Sequence, residues 1–234
     1  RRVLITGHTG FKGSWLALWL CEMGAKVSGF SDRDPTRPSL GERLDPKIWT
    51  RDIRGDISDS AALRKALRAA KPELVFHLAA QPLVRESYRD PLATLQTNVM
   101  GTACLLDAIR EIKSPAHVVA VTSDKCYENR GWAHGYREND ALGGHDVYSA
   151  SKAASELVAQ SWRRSFFAPD SALGNVATAR AGNVIGGGDY AADRIVPDCV
   201  RSLRRRQPIF VRNPAATRPW QHVLDCLSGY LLLG

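Results

Sequence analysis

The 234-residue sequence has no apolar run that reaches the roughly 20 residues of a membrane-spanning helix. The apolar stretch at residues 15–20 is short and follows a polar glycine turn, so it does not fit a secretory signal peptide either. The five cysteines are far apart and form no C-x-x-C pair, which predicts reduced core thiols in a cytoplasmic protein. The six histidines are also scattered, and the sequence offers no metal-ligand spacing.

The composition excludes disordered and fibrous classes, because hydrophobic residues make up 44% and charged residues 24% of the chain. The chain is basic, with 32 Lys and Arg against 24 Asp and Glu and a net charge of +8. This balance suits nucleic acid, but it also suits a small anionic substrate. The basic cluster at Arg201 and residues 204–206 is predicted to be a solvated helix end, favoured by the helix dipole. Because no aromatic residues are interleaved with it, we expect no nucleic-acid partner.

Strand-like and helix-like segments alternate along the chain, which predicts parallel βαβ units with right-handed crossovers. We therefore expect an α/β fold with a doubly wound parallel sheet of Rossmann type and a smaller, incomplete C-terminal substrate-binding lobe. Strands are predicted at 3–6, 26–30, 74–78, 118–122 and 176–180, and helices at 11–23, 61–70, 91–110, 148–164 and 193–205.

The domain boundary is placed where the glycine-rich, irregular sequence begins. Residues 1–180 are assigned to the dinucleotide-binding domain, and residues 181–234 to part of the lobe, with some segments returning to the sheet. Because the sequence stops within an apolar helical run at 227–233, we also expect further residues after Gly234.

A glycine-rich turn, residues 7–13 (GHTGFKG), follows the first predicted strand and opens the first predicted helix. Glycines permit a tight turn and the close approach of a pyrophosphate, and the helix N-terminus offers unpaired N–H groups. Because strand, turn and helix are all in place, the motif predicts dinucleotide binding rather than a plain glycine turn. The residues assigned to this contact are Gly7, Thr9, Gly10, Phe11 and Gly13.

An acidic residue after the second strand is expected to bind the adenosine ribose. Asp32 is the candidate, and it favours NAD because a carboxylate pairs with a 2′-hydroxyl and repels a 2′-phosphate. The adjacent Arg33 leaves NADP open. Asp56, after the third strand, is a candidate to accept from the adenine amino group or, equally, an acid near a helix N-cap.

Tyr148 and Lys152 are four residues apart and share one helix face. A tyrosine with a pKa of about 10 is a poor base, but a nearby ammonium lowers that pKa. Together with the glycine turn, the pair predicts hydride transfer from a substrate alcohol, with Tyr148 taking the hydroxyl proton. Ser123, Asp124 and Lys125 follow a parallel strand at the edge where ligands bind. We expect Ser123 to hydrogen-bond the reacting oxygen, with Asp124 and Lys125 as an acid/base pair.

Several motifs carry a resemblance to a known superfamily. Together with the glycine turn, residues 77–82 (HLAAQP), 97–99 (TNV) and 148–152 (YSASK) are similar to the extended short-chain dehydrogenase/reductases. More specific are residues 122–127 (TSDKCY), 143–152 (GGHDVYSASK), 180–189 (RAGNVIGGGD) and 213–223 (NPAATRPWQHV), which resemble the CDP-glucose 4,6-dehydratase family.

The resemblance implies a redox-neutral loss of water from CDP-glucose with NAD as cofactor. Tyr148 would remove the 4-hydroxyl proton during oxidation at C4, with Lys152 tuning it, and Asp124 would protonate the leaving 6-hydroxyl. Return of hydride to C6 would then give CDP-4-keto-6-deoxyglucose. Related dehydratases have a glutamate, the C5 base, at the position of Lys125, so the identity of the C5 base stays open. Many members of the superfamily carry the ribose-binding acid at the position of Ser31, and here Asp32 would serve instead.

The remaining assignments also come from the resemblance. It implies a nucleotide-sugar substrate, a homodimer or homotetramer that pairs through residues 91–110 and 148–164, and a place in deoxysugar or O-antigen biosynthesis. Open alternatives are a nucleotide-sugar 4-epimerase, a 4,6-dehydratase of a dTDP- or GDP-sugar, and a non-catalytic NAD-sensing regulator. His222 is not predicted to be catalytic. The further cofactor-binding residues are Ile57, Ala79, Ala80 and Asn98, together with Tyr148 and with Lys152, which would hold the ribose. The substrate-binding residues are Asn183, Arg194 and Arg218.

Overall fold

The computed structural model describes residues 1–167 and 172–234. Its centre is a six-stranded sheet in the order β3-β2-β1-β4-β5-β6, in which every neighbouring pair is parallel. From β1 the chain adds β2 and β3 on one side and then β4, β5 and β6 on the other side. In a doubly wound sheet this switch point, between β1 and β4, puts the ligand crevice at the carboxyl ends of these strands. The predicted Rossmann-type fold is confirmed. The strands are β1 (Arg2–Thr6), β2 (Lys26–Ser31), β3 (Trp49–Arg54), β4 (Leu74–His77), β5 (His117–Val121) and β6 (Val176–Ala179).

The helices begin at the signals that the sequence supplies. Asp59 caps α2 by accepting from the backbone N–H of Ala61 and Ala62. Asp90 caps α4, and Pro91 occupies its first turn, where no N–H is needed. The helices are α1 (Phe11–Glu22), α2 (Ser60–Ala70), α3 (Val84–Arg89), α4 (Pro91–Leu95), α5 (Gly101–Glu111), α6 (Val147–Ser165), α7 (Ile195–Arg204) and α8 (Val223–Leu233).

The predicted helix at 91–110 is wrong as a continuous α-helix. A π-helical turn, Gln96–Met100, separates α4 from α5. Such single turns are frequent at functional sites, and this one contains Asn98. The helix α3 has no counterpart among the predicted elements.

Two hydrophobic clusters cover the two faces of the sheet. One joins α1 and α8 to the sheet and includes Leu16 and Leu227, both fully buried. The other joins α2, α5 and α6 to the opposite face and includes Leu63, Leu105 and Phe30. Burial on both faces explains why the strands read as continuous apolar runs rather than alternating ones.

Residues beyond β6 leave the main sheet and then return to it. A second, two-stranded parallel sheet pairs β7 (Asn183–Ile185) with β8 (Trp220–His222). The helix α8 follows β8 directly and packs against α1, so the segment that returns to the sheet is this C-terminal helix. Within the described residues, no helix is both long and apolar enough to span a bilayer.

Candidate active site

The glycine turn is built so that a side chain at two of its positions would collide with backbone. Gly7 has φ +71°, and a Cβ there would lie 2.7 Å from the amide nitrogen of Ala79. A Cβ on Gly13 would lie 2.3 Å from the carbonyl oxygen of Gly7. The turn therefore presses against the loop after β4 and against the first turn of α1. The first N–H groups of α1 have no partner within the helix, which is the property that an anion-binding turn uses.

Thr9 fixes the turn to the end of β2. Its hydroxyl donates to the Arg33 carbonyl oxygen at 2.8 Å and lies 3.0 Å from the Ser31 hydroxyl. Thr9 and Ser31 are both buried, so they position backbone, whereas Asp32 is exposed at the rim. The Asp32 carboxylate accepts from the Arg33 N–H at 2.8 Å and lies 3.5 Å from its guanidinium. Asp32, which favours NAD, and Arg33, which leaves NADP open, are thus paired with each other.

The residues expected around the adenine and the ribose lie in the segments that follow β3 and β4 along the chain. Asp56 is exposed and accepts from the Ser58 N–H and hydroxyl, each at 2.7 Å, while the true cap of α2 is Asp59. Ile57 is buried against Gly101, where a Cβ would lie 2.7 Å from the isoleucine Cγ2. Ala79 and Ala80 are half-buried beside the glycine turn.

Both polar atoms of the Asn98 side-chain amide are hydrogen-bonded to other protein groups. Its Oδ1 accepts from the Gln81 N–H at 2.8 Å, and its Nδ2 donates to the Gln81 carbonyl at 3.1 Å and to the Ser151 hydroxyl at 2.8 Å. The Asn98 carbonyl accepts in turn from the hydroxyls of Thr102 at 2.7 Å and Ser155 at 2.9 Å. The π-helical turn therefore clamps the loop after β4 to α6, and this describes a positioning role for Asn98.

Tyr148 and Lys152 lie on the first two turns of α6, which Asp146 caps by accepting from the Ser149 N–H at 2.9 Å. Both side chains are buried at the sheet edge. The Ser123 side chain lies close enough to the Tyr148 phenol to oppose the effect of burial on its pKa. Ser123 follows β5, so the strand end and the helix deliver these two hydroxyls to the same point.

The electrostatics of this pair differ from the sequence-based expectation. Burial raises the pKa of Tyr148, and the nearby Ser123 side chain only opposes that rise. Burial and the nearby Lys12 ammonium lower the pKa of Lys152 to about 7, and its Nζ donates to the Val121 carbonyl oxygen at 3.3 Å. The expected lowering of the Tyr148 pKa by Lys152 is therefore not found: burial is the largest effect, and Lys152 is not among the groups that shift this pKa.

Asp124 and Lys125 open a 3₁₀ turn immediately after Ser123. The Ser123 hydroxyl donates to the Asp124 carboxylate at 3.1 Å and accepts from the Lys125 N–H at 3.2 Å. Both charged side chains line an open crevice of about 1590 Å³, together with Arg218. The expected acid/base pair is thus at the crevice and one residue from the group that contacts Tyr148.

Of the three proposed substrate residues, Arg218 lines this crevice, whereas Asn183 and Arg194 lie outside its lining. Arg194 precedes α7, pairs with Asp189 at 2.9 Å, and is close enough to Tyr148 to oppose the rise of its pKa. Asn183 is the first residue of β7, and its backbone N–H donates to the Pro219 carbonyl oxygen at 3.1 Å. Arg218 is exposed. His222 caps α8 by accepting from the Leu224 N–H at 3.3 Å, which accounts for it without catalysis.

Three charged or titratable residues near the site carried no assignment from the sequence. His77 bridges the hydroxyls of Thr6 at 2.7 Å and Thr102 at 3.1 Å, and burial followed by the Lys152 charge lowers its pKa to about 3. Glu156 lies one turn beyond Lys152 on α6, and Lys12 lies inside the glycine turn. The spacing of residues 148, 152 and 156 could have pointed to Glu156, whereas nothing in the motif singled out Lys12.

Comparison with known proteins agrees with this geometry. Residues 4–233 match the family model described as GDP-mannose 4,6 dehydratase. The chain is 53% identical over 237 residues to a CDP-glucose 4,6-dehydratase of Salmonella typhimurium, covering all of this chain and 66% of the relative. The chain thus spans about two thirds of that curated relative, and 65% and 54% of the next two.

Solved structures give the same result. A dTDP-glucose 4,6-dehydratase of Streptomyces venezuelae with NAD bound is 26% identical, with a TM-score of 0.85 over 100% of this chain and 72% of that chain. MoeE5 in complex with UDP-glucose and NAD is 28% identical, with a TM-score of 0.83 over 100% of this chain and 71% of that one. The chain therefore belongs to the protein family named for GDP-mannose 4,6 dehydratase, which confirms the resemblance to extended short-chain dehydrogenase/reductases that dehydrate nucleotide sugars.

Proposed function

We propose that the protein is an NAD-dependent 4,6-dehydratase that converts CDP-glucose to CDP-4-keto-6-deoxyglucose. The observation that carries this proposal is the convergence of three groups: the Tyr148 phenol, the Ser123 hydroxyl close to it, and the Asp124 carboxylate that accepts from Ser123. An alcohol placed at this point has a proton acceptor on one side. It also has a carboxyl group beside it for a second proton transfer.

NAD fits the residues present. The backbone approach that forbids a Cβ at Gly7 and Gly13 leaves the room that a diphosphate needs at the start of α1. The Asp32 carboxylate at the rim suits an unphosphorylated ribose. Arg33, which pairs with Asp32, is a candidate partner for a 2′-phosphate. NAD, when bound, supplies the hydride acceptor for C4 and the hydride donor for C6, so the net change is the loss of one water.

Tyr148 is the base for the 4-hydroxyl proton. Its pKa is raised when the site holds only protein groups, so the phenol has first to lose its own proton; the phenolate then accepts the 4-hydroxyl proton as the carbon–hydrogen bond breaks. Ser123 lies close to the same phenol and is the candidate to orient the alcohol oxygen. Lys152, with a pKa of about 7, exchanges protons readily at neutral pH.

The 4-ketone acidifies the C5 proton, and water then leaves from C5 and C6. Asp124 gives its proton to the departing 6-hydroxyl, because it stands one residue beyond Ser123 at the crevice wall. Lys125, as the neutral amine, is the candidate to accept the C5 proton and to return it to C5 when hydride adds to C6. Arg194 and Arg218 are the candidates to hold the substrate diphosphate, with Asn183 beside the sugar.

Residues 1–180 form the proposed NAD-binding domain, and residues 181–234 contribute part of the substrate lobe, apart from the returning helix α8. The choice of the cytidine nucleotide is supported by the 53% identity to the Salmonella enzyme. All five cysteines are free thiols, which supports the cytoplasm as the compartment. A deoxysugar product would serve glycan synthesis, such as O-antigen lipopolysaccharide.

Incubation with CDP-, dTDP-, GDP- and UDP-sugars, followed by mass spectrometry of the products, tests the proposal. The expected product is 18 mass units lighter than CDP-glucose, as loss of water requires, with about a tenth of that turnover or less on the other sugars. An isomer of unchanged mass would identify an epimerase. Asp124→Asn and Lys125→Ala are expected to block water loss more than oxidation at C4 in a single turnover. Normal dehydration by both variants would remove their assigned roles.

A homodimer is proposed through the surface of α4, α5 and α6. Large apolar side chains are exposed there: Leu92 at 76%, Met100 at 47% and Leu157 at 55%. Apolar groups clustered on helix surfaces favour association. Light scattering after gel filtration is expected to give twice the monomer mass, and Leu92→Lys combined with Leu157→Lys to give the monomer.

A further inference from the structure

Lys12 is a charged residue of the glycine turn that the proposed chemistry does not use. It is the second residue of α1, directly after Phe11. A cation in the first turn is opposed by the positive end of the helix dipole, and α1 has no acidic residue in that turn to offset it. The position is electrostatically unfavourable for the isolated helix, so another interaction must account for the lysine.

The contacts of Lys12 direct its ammonium towards α8 and the end of β5. Its Nζ donates to the Tyr230 hydroxyl of α8 at 3.1 Å and lies 5.6 Å from the centre of that ring. Burial lowers the pKa of Lys12, the nearby Cys226 and Asp124 oppose that shift, and Arg194 adds to it. The Lys12 ammonium is therefore within Coulomb range of groups on α8, after β5 and before α7.

The same ammonium faces the proposed catalytic lysine. After burial, Lys12 is the next largest cause of the lowered pKa of Lys152. Lys12 is thus part of the glycine turn proposed to hold the diphosphate, and its ammonium is within Coulomb range of Lys152, the partner of Tyr148. A cofactor that binds the turn with its diphosphate and reaches Tyr148 with its reactive ring would lie within the field of this ammonium.

We propose that Lys12 tunes the hydride affinity of the bound cofactor, an inference that rests on the proposed function. The oxidised nicotinamide ring carries a positive charge, and the reduced ring is neutral. The Lys12 ammonium disfavours the oxidised ring and leaves the reduced ring unaffected, which makes the cofactor a stronger hydride acceptor. Attraction between Lys12 and the diphosphate is the same for both forms, so it cancels in the ratio of their affinities.

The test is the ratio of the dissociation constants of NAD⁺ and NADH, measured on cofactor-depleted protein by calorimetry and by NADH fluorescence. Lys12→Met is expected to lower the ratio Kd(NAD⁺)/Kd(NADH) about tenfold. That is the order expected for unit charges roughly 10 Å apart at an effective dielectric constant near 20. Lys12→Arg keeps the charge and is expected to keep the ratio. Lys65→Met, which removes an exposed lysine on α2, is the matched control.

Tyr230→Phe separates charge from structure, because it removes the hydrogen bond between α1 and α8 but leaves the ammonium. The ratio is expected to stay at the wild-type value in this variant. If Lys12→Met raises both dissociation constants equally, Lys12 is only a contact of the diphosphate and the proposal is overturned. A ratio lowered by Tyr230→Phe as much as by Lys12→Met would also overturn it. Lys12→Gln replaces the methionine variant if that one does not fold. Failure of the wild-type protein to bind either cofactor form would instead refute the proposed function.

Discussion

Replacing Glu156 by glutamine removes one charge from a buried ion pair without changing its volume. The Glu156 carboxylate lies 3.0 Å from the Arg180 guanidinium and accepts from the hydroxyls of Thr178 at 2.9 Å and Thr122. The two side chains of the pair are 5% and 16% exposed. Removing one partner of such a pair leaves an uncompensated buried charge, which costs about 3–5 kcal/mol. Because Arg180 keeps some solvent contact, we expect Glu156→Gln to lower the free energy of unfolding by about 3 kcal/mol.

The effect should depend on pH with a defined sign. Burial alone would raise the pKa of Glu156, but hydrogen bonds from Arg180, Thr122 and Thr178 outweigh it and lower that pKa. A carboxyl group with a lowered pKa in the folded state contributes stability above its unfolded pKa of about 4.3. That contribution is lost as the pH falls through the folded pKa. The difference between the wild type and Glu156→Gln is therefore expected to be full at pH 7 and to shrink below about pH 4.

Urea unfolding at pH 7 and at stepwise lower pH measures both effects. The matched control is Glu111→Gln, which breaks the 2.7 Å pair between Arg64 and Glu111, where the side chains are 31% and 41% exposed. This control is expected to lose less than about 1 kcal/mol, with solvent screening the pair. Equal losses in the two variants, or a Glu156→Gln deficit that persists unchanged at acid pH, would refute the reasoning from burial.

Three further outcomes follow from the site. Tyr148→Phe is expected to lower kcat by about 10²–10⁴-fold with an unchanged Kd for NAD, measured by product absorbance and calorimetry; full activity would exclude the phenol as the base. Gly13→Ala, whose Cβ would lie 2.3 Å from the Gly7 carbonyl oxygen, is expected to abolish NAD binding, whereas Gly229→Ala, with nothing within 4 Å, should leave it intact. Lys152→Met should stabilise the cofactor-free fold most below pH 7, the folded pKa of Lys152. That gain should fade as the pH rises towards the unfolded pKa of about 10.4, in thermal melts across this range, and a flat profile would contradict the low pKa.

The sheet and the site differ in how far the sequence predicts them. Strands such as β4 and β5 are short apolar runs between turn residues, and burial on both faces makes that signal strong. The π-helical turn was missed because the apolar spacing runs through residues 96–100 without a break. What distinguishes this turn is the set of side chains that its Asn98 carbonyl and amide bind, and these come from distant segments. The helix α3, Val84–Arg89, was missed because it has too few apolar residues for a helical period.

The roles at the site follow the same division. Spacing places Tyr148 and Lys152 on one face of α6, and strand order brings Ser123 and Asp124 to the same edge. Spacing does not report desolvation, so it gave the wrong sign for the pKa of Tyr148. Lys12 went unassigned because the glycines around it explain the motif without it.

Helix α8 makes the sheet domain discontinuous along the chain. Val223 and Leu227 are fully buried in the floor beneath the strands, although they come after the excursion that carries β7, α7 and β8. That excursion is therefore tethered at both ends to the rigid part of the protein, at Ala181 and at His222. Its loops can lengthen, shorten or change sequence without displacing the strands and helices of the sheet domain. A change in the excursion thus needs no redesign of the core.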